Sequence, residues 1–171
     1  MKIGIMSDIQ DNAEGLILAI KRFNKEKCDL VVCCGDWGSA SMPNFCSNLR
    51  CKIISVFGNN DADIFQFLTR KIDKNWNIEF NKTCAEFELD SKKIVVYHGD
   101  SDTLLRALVN CDNFDLVLSG HTHKPLIMQI KNTTHINPGS IVKLHSGKNG
   151  GDSTIAIYNT KTNKSEIIIL N

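Results

Sequence analysis

A chain of 171 residues with 42% hydrophobic and 23% charged content has the size and balance of one ordinary soluble domain, 1–171, and two full domains would be cramped in it. Its 20 Lys and Arg against 19 Asp and Glu leave a net charge of +1, which makes no broad basic field, so nucleic acid is not implied by charge. The longest apolar runs, such as Leu30 to Cys34 and Ile167 to Leu170, fall far short of the roughly 18 residues of a bilayer-spanning helix.

Lys2 to Ser7 reads as a short buried strand, and Asp11 to Lys27 follows with Leu16, Ile17, Ala19, Ile20 and Phe23 at helical spacing. Asp29 to Cys34 is a second strand ending in Gly35-Asp36, and Lys52 to Phe57 a third ending in Gly58-Asn59-Asn60-Asp61. Met42 to Leu49, entered at Pro43, and Asp61 to Arg70, with Asp61 as N-cap, are predicted helices. The opening third is therefore expected to consist of βαβ units. Thr83 to Leu89 and the strand Lys92 to Tyr97 form a hairpin across Asp90-Ser91. A helix from Ser101 to Cys111 and a strand from Asp115 to Ser119 come next. Short strands follow over Leu126 to Ile130, Thr133 to Ile136, Ser140 to His145, Thr154 to Tyr158 and Ser165 to Leu170, with Gly147 to Asp152 as a loop. Parallel units early and hairpins late predict an α/β fold with two packed sheets and helices outside them, a four-layer α/β/β/α sandwich.

Seven Cys is an odd number and none forms a C-x-x-C pair, so all are read as reduced thiols. With an acidic residue reached already at Asp8, there is no room for a secretory core, and a cytoplasmic location is expected. Cys33 and Cys34 lie within a strand and point to opposite faces, so they cannot chelate together.

The polar residues collect at strand ends. Asp8 and Gln10 follow the first strand, Asp36 the second and Asn59 the third; His98 ends Ile94 to Tyr97, and His121 and His123 follow Ser119-Gly120. In an open α/β sheet the carboxyl ends of strands meet along one edge, so these positions can converge and hold two divalent ions. Imidazole and carboxylate together suit Mn or Ni foremost, with Fe, Co or Zn as alternatives, better than Mg alone. Gly35, Gly58, Gly99 and Gly120 beside them permit tight turns.

In Ser7-Asp8-Ile9-Gln10, Cys34-Gly35-Asp36, Gly58-Asn59-Asn60-Asp61, His98-Gly99, Gly120-His121-Thr122-His123 and Asn137-Pro138-Gly139-Ser140, taken in this order, the chain resembles the calcineurin-like metallophosphoesterases, specifically the small archaeal and bacterial phosphodiesterases related to the retromer subunit Vps29. The resemblance implies that Asp8, Gln10, Asp36 and His123 hold one metal and Asp36, Asn59, His98 and His121 a second, with Asp36 bridging. It implies a phosphodiesterase or phosphatase in which hydroxide between the metals attacks phosphorus, with Asp36, Asn59 and His98 as the catalytic set. The substrate would be a small phosphodiester or phosphomonoester. The family's D-x-H opening is broken by Gln10, and Asn60 stands where many members carry a proton-donating histidine. A Vps29-like protein-binding scaffold with a degraded metal site is the alternative.

Taken singly, Asp8, Asp36 and Asn59 suit turns or helix N-caps, His98 a core histidine and His121-Thr122-His123 a polar hairpin corner; as metal ligands, His98 and His121 are expected at strand ends and not in the core. Trp37 fits a buried strand end as well as a stacking platform, and His135 and His145 receive no role. Exposed hairpin strands in the second half leave a homo-oligomer open.

Overall fold

A computed structural model describes residues 1–142 and 151–171. One sheet contains β1 (Lys2–Met6), β2 (Leu30–Cys33), β3 (Lys52–Val56), β4 (Ile78–Asn81), β10 (Thr154–Asn159) and β11 (Lys164–Ile169), in the order β11-β10-β1-β2-β3-β4. Here β1 to β4 run parallel and β10 and β11 antiparallel. The other sheet contains β5 (Cys84–Leu89), β6 (Lys92–Tyr97), β7 (Leu116–Leu118), β8 (Leu126–Ile130) and β9 (Thr133–Asn137), in the order β5-β6-β7-β9-β8. The hairpin turn at Asp90 and Ser91 has φ of 49° and 60°, the left-handed pair that a tight two-residue turn requires.

The sheets pack face to face through Ile3, Ile5, Val32 and Val56 on one side and Ile94, Val96, Leu116 and Leu118 on the other. Helix α1 (Ala13–Glu26) covers the outer face of the first sheet with Leu16, Ala19, Ile20 and Phe23, one stripe at i, i+3, i+4 and i+7. Its start is fixed by the Asn12 side chain, which accepts from Gly15 N at 3.0 Å, and it stops at Lys27 in the left-handed region. Complete burial of Phe23 alone contributes about 1.5–3 kcal/mol. Helix α2 (Ile64–Lys74) adds Phe67 to the same layer, and α3 (Asp102–Asn110) lays Val109 against Val95 and Val117 on the far side. The order helix, sheet, sheet, helix is the expected sandwich with two mixed sheets.

Several expectations change. β4 was absent from the sequence pattern; its four residues are too few to show a period, and pairing with β3 creates it. The helix expected over Met42 to Leu49 is a 3₁₀ turn, Met42–Cys46. The second sheet is not built of hairpins alone, because β6 and β7 are parallel and joined by α3, and β7 and β9 are parallel as well. The strand expected over Ser140 to His145 is not one across 140–142, where Ile141 N and Val142 N donate to Ser7 O and Asp8 O at 3.1 Å. His145, the rest of that strand and most of the loop expected from Gly147 to Asp152 lie outside the described residues. Among the described residues no helix is long and apolar enough to cross a membrane.

Candidate metal centre

The ends of β1 and β2 are stitched together: Asp8 N donates to Gly35 O at 3.0 Å, and Ile9 N and Gln10 N both donate to Asp36 O, at 2.8 and 3.0 Å. Asp8, Gln10, Asp36, His121 and His123 all have positive φ, between 44° and 67°. Left-handed backbone costs a non-glycine residue on the order of 1 kcal/mol, so five such residues on one rim need surroundings that over-determine them. Two glycines give the side chains room: a Cβ at Gly58 would overlap Asp36 Oδ1, and one at Gly120 would overlap Ser7 Oγ.

All seven expected ligands converge. Around Asp36, His98 Nε2 lies 3.4 Å from Oδ1 and the Gln10 amide donates to Oδ2 at 3.3 Å. Asn59 Oδ1 lies 3.1 Å from His98 Nε2 and 3.0 Å from His121 Nδ1. On the other side, His123 Nε2 is 3.2 Å from Asp8 Oδ1 and 3.1 Å from Gln10 Nε2. His98 is not outside the core as its strand-end position suggested: it is 1% exposed, and its Nδ1 sits 2.8 Å from the Cys34 carbonyl oxygen. A neutral imidazole donating there leaves a lone pair on Nε2, free to ligate.

Asp8 and Asp36 are 0% and 1% exposed, and among the described residues neither has a Lys or Arg within ion-pair distance. Two buried carboxylates without a cation carry a large desolvation cost. His123 Nδ1 is also buried without a hydrogen-bond partner, and Asp8 Oδ1 has the His123 ring nitrogen beside it at 3.2 Å but no hydrogen bond of good geometry. One ligand atom from each of Asp8, Asp36 and His98 lies within 4.8 Å of the others. The oxygen and nitrogen donors present therefore fit a divalent cation.

Residues to which the sequence assigned other roles, or none, hold this rim in place. Asp61 is not the N-cap of α2; that role belongs to Asp63, which accepts from Gln66 N at 3.0 Å. The buried Asp61 carboxylate instead accepts from Asp36 N at 2.9 Å, Gly58 N at 2.8 Å and Gly38 N at 3.1 Å, bracing the loops after β2 and β3. Burial pushes its pKa up to about 6, against the pull of those N–H groups. A better cap two residues later was the available signal that Asp61 was free for other work. Asn60 donates through its backbone N (2.9 Å) and its amide (2.6 Å) to the Asp36 carboxylate. Asn137 donates to Gly120 O at 2.7 Å and Ser140 Oγ to Asp8 O at 3.0 Å, so the 137–142 strap clamps the loops carrying His121 and Asp8.

Three other side chains are absorbed by the fold. Trp37 is fully buried and donates to Ser55 Oγ at 2.9 Å, so it is no stacking platform. His135 pairs with Ser119 Oγ at 2.8 Å inside the second sheet. Cys33 and Cys34 face different cores, and every described cysteine is a free thiol.

The two inner histidines separate by burial. With metal removed, His98→Ala should cost about 1–3 kcal/mol in denaturant unfolding, because it orphans the Cys34 carbonyl, whereas the exposed His121→Ala should stay within about 0.5 kcal/mol. Equal losses would make His121 structural. Acid should act in opposite senses on the two forms of the protein. The Asp8 carboxylate raises the His123 pKa, so the pair's contribution to the metal-free fold is complete below the ordinary imidazole pKa and is lost as pH rises through the raised one. Metal competes with the same proton, so the metal-induced rise in Tm should shrink as pH falls. A pH-independent rise would exclude His123 as a ligand.

Beside the rim lies an open groove of about 560 Å³, bounded by Gln10, Asp11, Ser39, Asn60, Asp63 and Gln66 among others. Asp36 does not line it, but Gln10 and Asn60, which do, both reach the Asp36 carboxylate.

The model of the calcineurin-like phosphoesterase superfamily domain matches residues 1–163. A phosphodiesterase of Methanocaldococcus jannaschii is 31% identical over 175 residues, covering 99% of both chains. The solved structure of an archaeal phosphodiesterase superposes with a TM-score of 0.88 at 31% identity, covering 99% of this chain and 100% of that one. Vps29 of Entamoeba histolytica in complex with zinc shares the fold, with a TM-score of 0.67 at 15% identity over 100% of both chains.

Proposed function

Since the chain belongs to the calcineurin-like phosphoesterase superfamily of metal-dependent hydrolases, we propose that it is a phosphodiesterase whose active site is the rim formed by Asp8, Gln10, Asp36, Asn59, His98, His121 and His123. The observation that carries this is the pair of buried carboxylates, Asp8 and Asp36, facing imidazoles with no Lys or Arg among the described residues to balance them. Two divalent ions, Mn or Ni foremost, would supply a hydroxide near neutral pH and positive charge for the phosphoryl oxygens. Asp36 stands between the two groups of ligands and is suited to serve both. His98, aimed by the Cys34 carbonyl, and Asn59 would fix the inner site beside the phosphoryl group. Asn60 cannot give a proton to a leaving alcohol at neutral pH, so esters of acidic alcohols should react fastest. Residues 1–171 would act as one domain, since the sheets supplying the ligands share a single core.

One feature favours the scaffold reading. The Gln10 amide, as oriented, points N–H and not oxygen at Asp36, which does not ligate. Metal analysis combined with hydrolysis of bis(p-nitrophenyl) phosphate in Mn²⁺ or Ni²⁺ decides between the two: bound metal with turnover is expected, and neither would leave a scaffold. Gln10→His should tighten the outer site by about 10- to 100-fold and raise activity at limiting metal. A titration following bound ions and rate together checks this, and superimposable curves for the two proteins would remove Gln10 from the ligand set.

A further inference from the structure

The groove beside Asp36 has an unusual lining for a site that handles anions. Its polar walls are the amides of Gln10, Asn60 and Gln66, the Ser39 hydroxyl, and the carboxylates of Asp11 and Asp63; among the described residues no Lys or Arg lines it. Arg70 reaches the Ala40 carbonyl oxygen at 3.5 Å but does not line the cavity. Neither carboxylate is neutralised by an ion pair among the described residues. Asp11 Oδ1 accepts from Ser39 N at 2.9 Å, and Asp63 accepts from Gln66 N at 3.0 Å and from the Gln66 amide at 2.7 Å. Both residues are exposed. A phosphodiester carries one negative charge, which the metal rim can take up. A second anionic group lying in the groove would face two carboxylates without a counter-charge.

We propose that this groove holds the organic substituent of the diester, and that Asp11 and Asp63 select substrates whose substituent is neutral or cationic over those bearing a further anionic group. The inference rests on the phosphodiesterase reading of the adjoining rim. Small polar walls and amides favour a substituent with hydroxyl or amino groups, such as a sugar or an amino alcohol. The carboxylates set the charge preference, which disfavours polyphosphates and substituents ending in a phosphate or carboxylate.

The test uses metal-loaded protein and three p-nitrophenyl phosphodiesters of similar size, with a butyl, a 3-carboxypropyl or a choline substituent. Two charges several ångströms apart at a protein surface interact strongly enough to change a rate by about ten-fold. The butyl ester should therefore exceed the carboxypropyl ester in kcat/KM by about ten-fold, with the choline ester at least equal to the butyl. Asp11→Asn and Asp63→Asn keep the oxygens that accept from Ser39 N and Gln66 N. Each should lower the neutral-to-anionic ratio, and the double variant should bring it close to one. The remote Asp102→Asn controls for overall charge and should leave the ratio as it is. Added salt should compress the wild-type ratio. A wild-type ratio near one, or a ratio unmoved by both substitutions, overturns the proposal. If no diester is hydrolysed, the phosphodiesterase reading fails, and the groove is judged by equilibrium binding of non-hydrolysable phosphonate analogues with the same substituents. The same order of Kd upholds the selection, and equal Kd values overturn it.

Discussion

Asp36→Asn is expected to reduce phosphodiesterase activity to background and to weaken metal binding by well over about 100-fold, while the metal-free protein stays folded. Asp36 is 1% exposed and lies against Gln10, Asn60 and His98, so its carboxylate is the group common to both clusters of proposed ligands. Removing a partner one step away from a metal typically costs 10- to 100-fold in affinity, and an amide replacing a shared carboxylate removes a full charge from the centre itself. The metal-free protein should not suffer, because the substitution takes a buried negative charge out of a site that has no Lys or Arg among the described residues to balance it. Metal at 100 times its Kd raises stability by about 2.7 kcal/mol. In thermal unfolding the wild type should therefore gain several degrees on adding Mn²⁺ and the variant none. A variant that keeps more than a small fraction of turnover, or the full metal-induced shift, would leave the two-metal proposal without its central ligand.

The next largest effect is expected at Asp61, which touches no proposed ligand side chain. Asp61→Ala would strip the acceptor from the backbone N–H groups of Asp36, Gly58 and Gly38 together. A buried donor left without a partner costs about 1–3 kcal/mol, and because Asp36 N is buried while Gly58 N and Gly38 N are partly open to water, a loss of about 2–5 kcal/mol is expected, a large share of the 5–15 kcal/mol that holds a typical domain. Because those donors belong to the loops that present Asp36 and Asn59, metal affinity should fall by at least about ten-fold as well. Asp61→Asn retains one acceptor oxygen and should show a smaller loss on both scales. Urea unfolding in chelator, followed by metal titration of the refolded protein, measures the two effects separately. If Asp61→Ala unfolds like wild type, the carboxylate is not a brace.

The sequence by itself determined a good deal about this protein. Short apolar runs and a stripe such as Leu16, Ala19, Ile20 and Phe23 are local signals, and they placed most strands and α1. The convergence of the seven candidate positions was legible for the same reason: each lies at or just beyond the end of an apolar run, and parallel strands bring such ends to one edge. What needed the tertiary structure was everything whose partner is distant in sequence. β4 exists only because β3 offers an edge, and Asp61 serves the site only because it meets the amides of Asp36 and Gly38, some 25 and 23 residues away. His98 is buried, contrary to its strand-end position, because Cys34 approaches it from 64 residues away. The 137–142 strap, whose residues from Ser140 on read as the start of a strand, shows its role only through its contacts with Asp8 and Gly120, 132 and 17 residues off. The left-handed backbone at Asp8, Gln10, Asp36, His121 and His123 runs against local preference, and these long-range hydrogen bonds are what hold it there. Local periodicity reports what a residue is placed beside along the chain, whereas support of a buried charged site depends on which distant groups arrive to satisfy it.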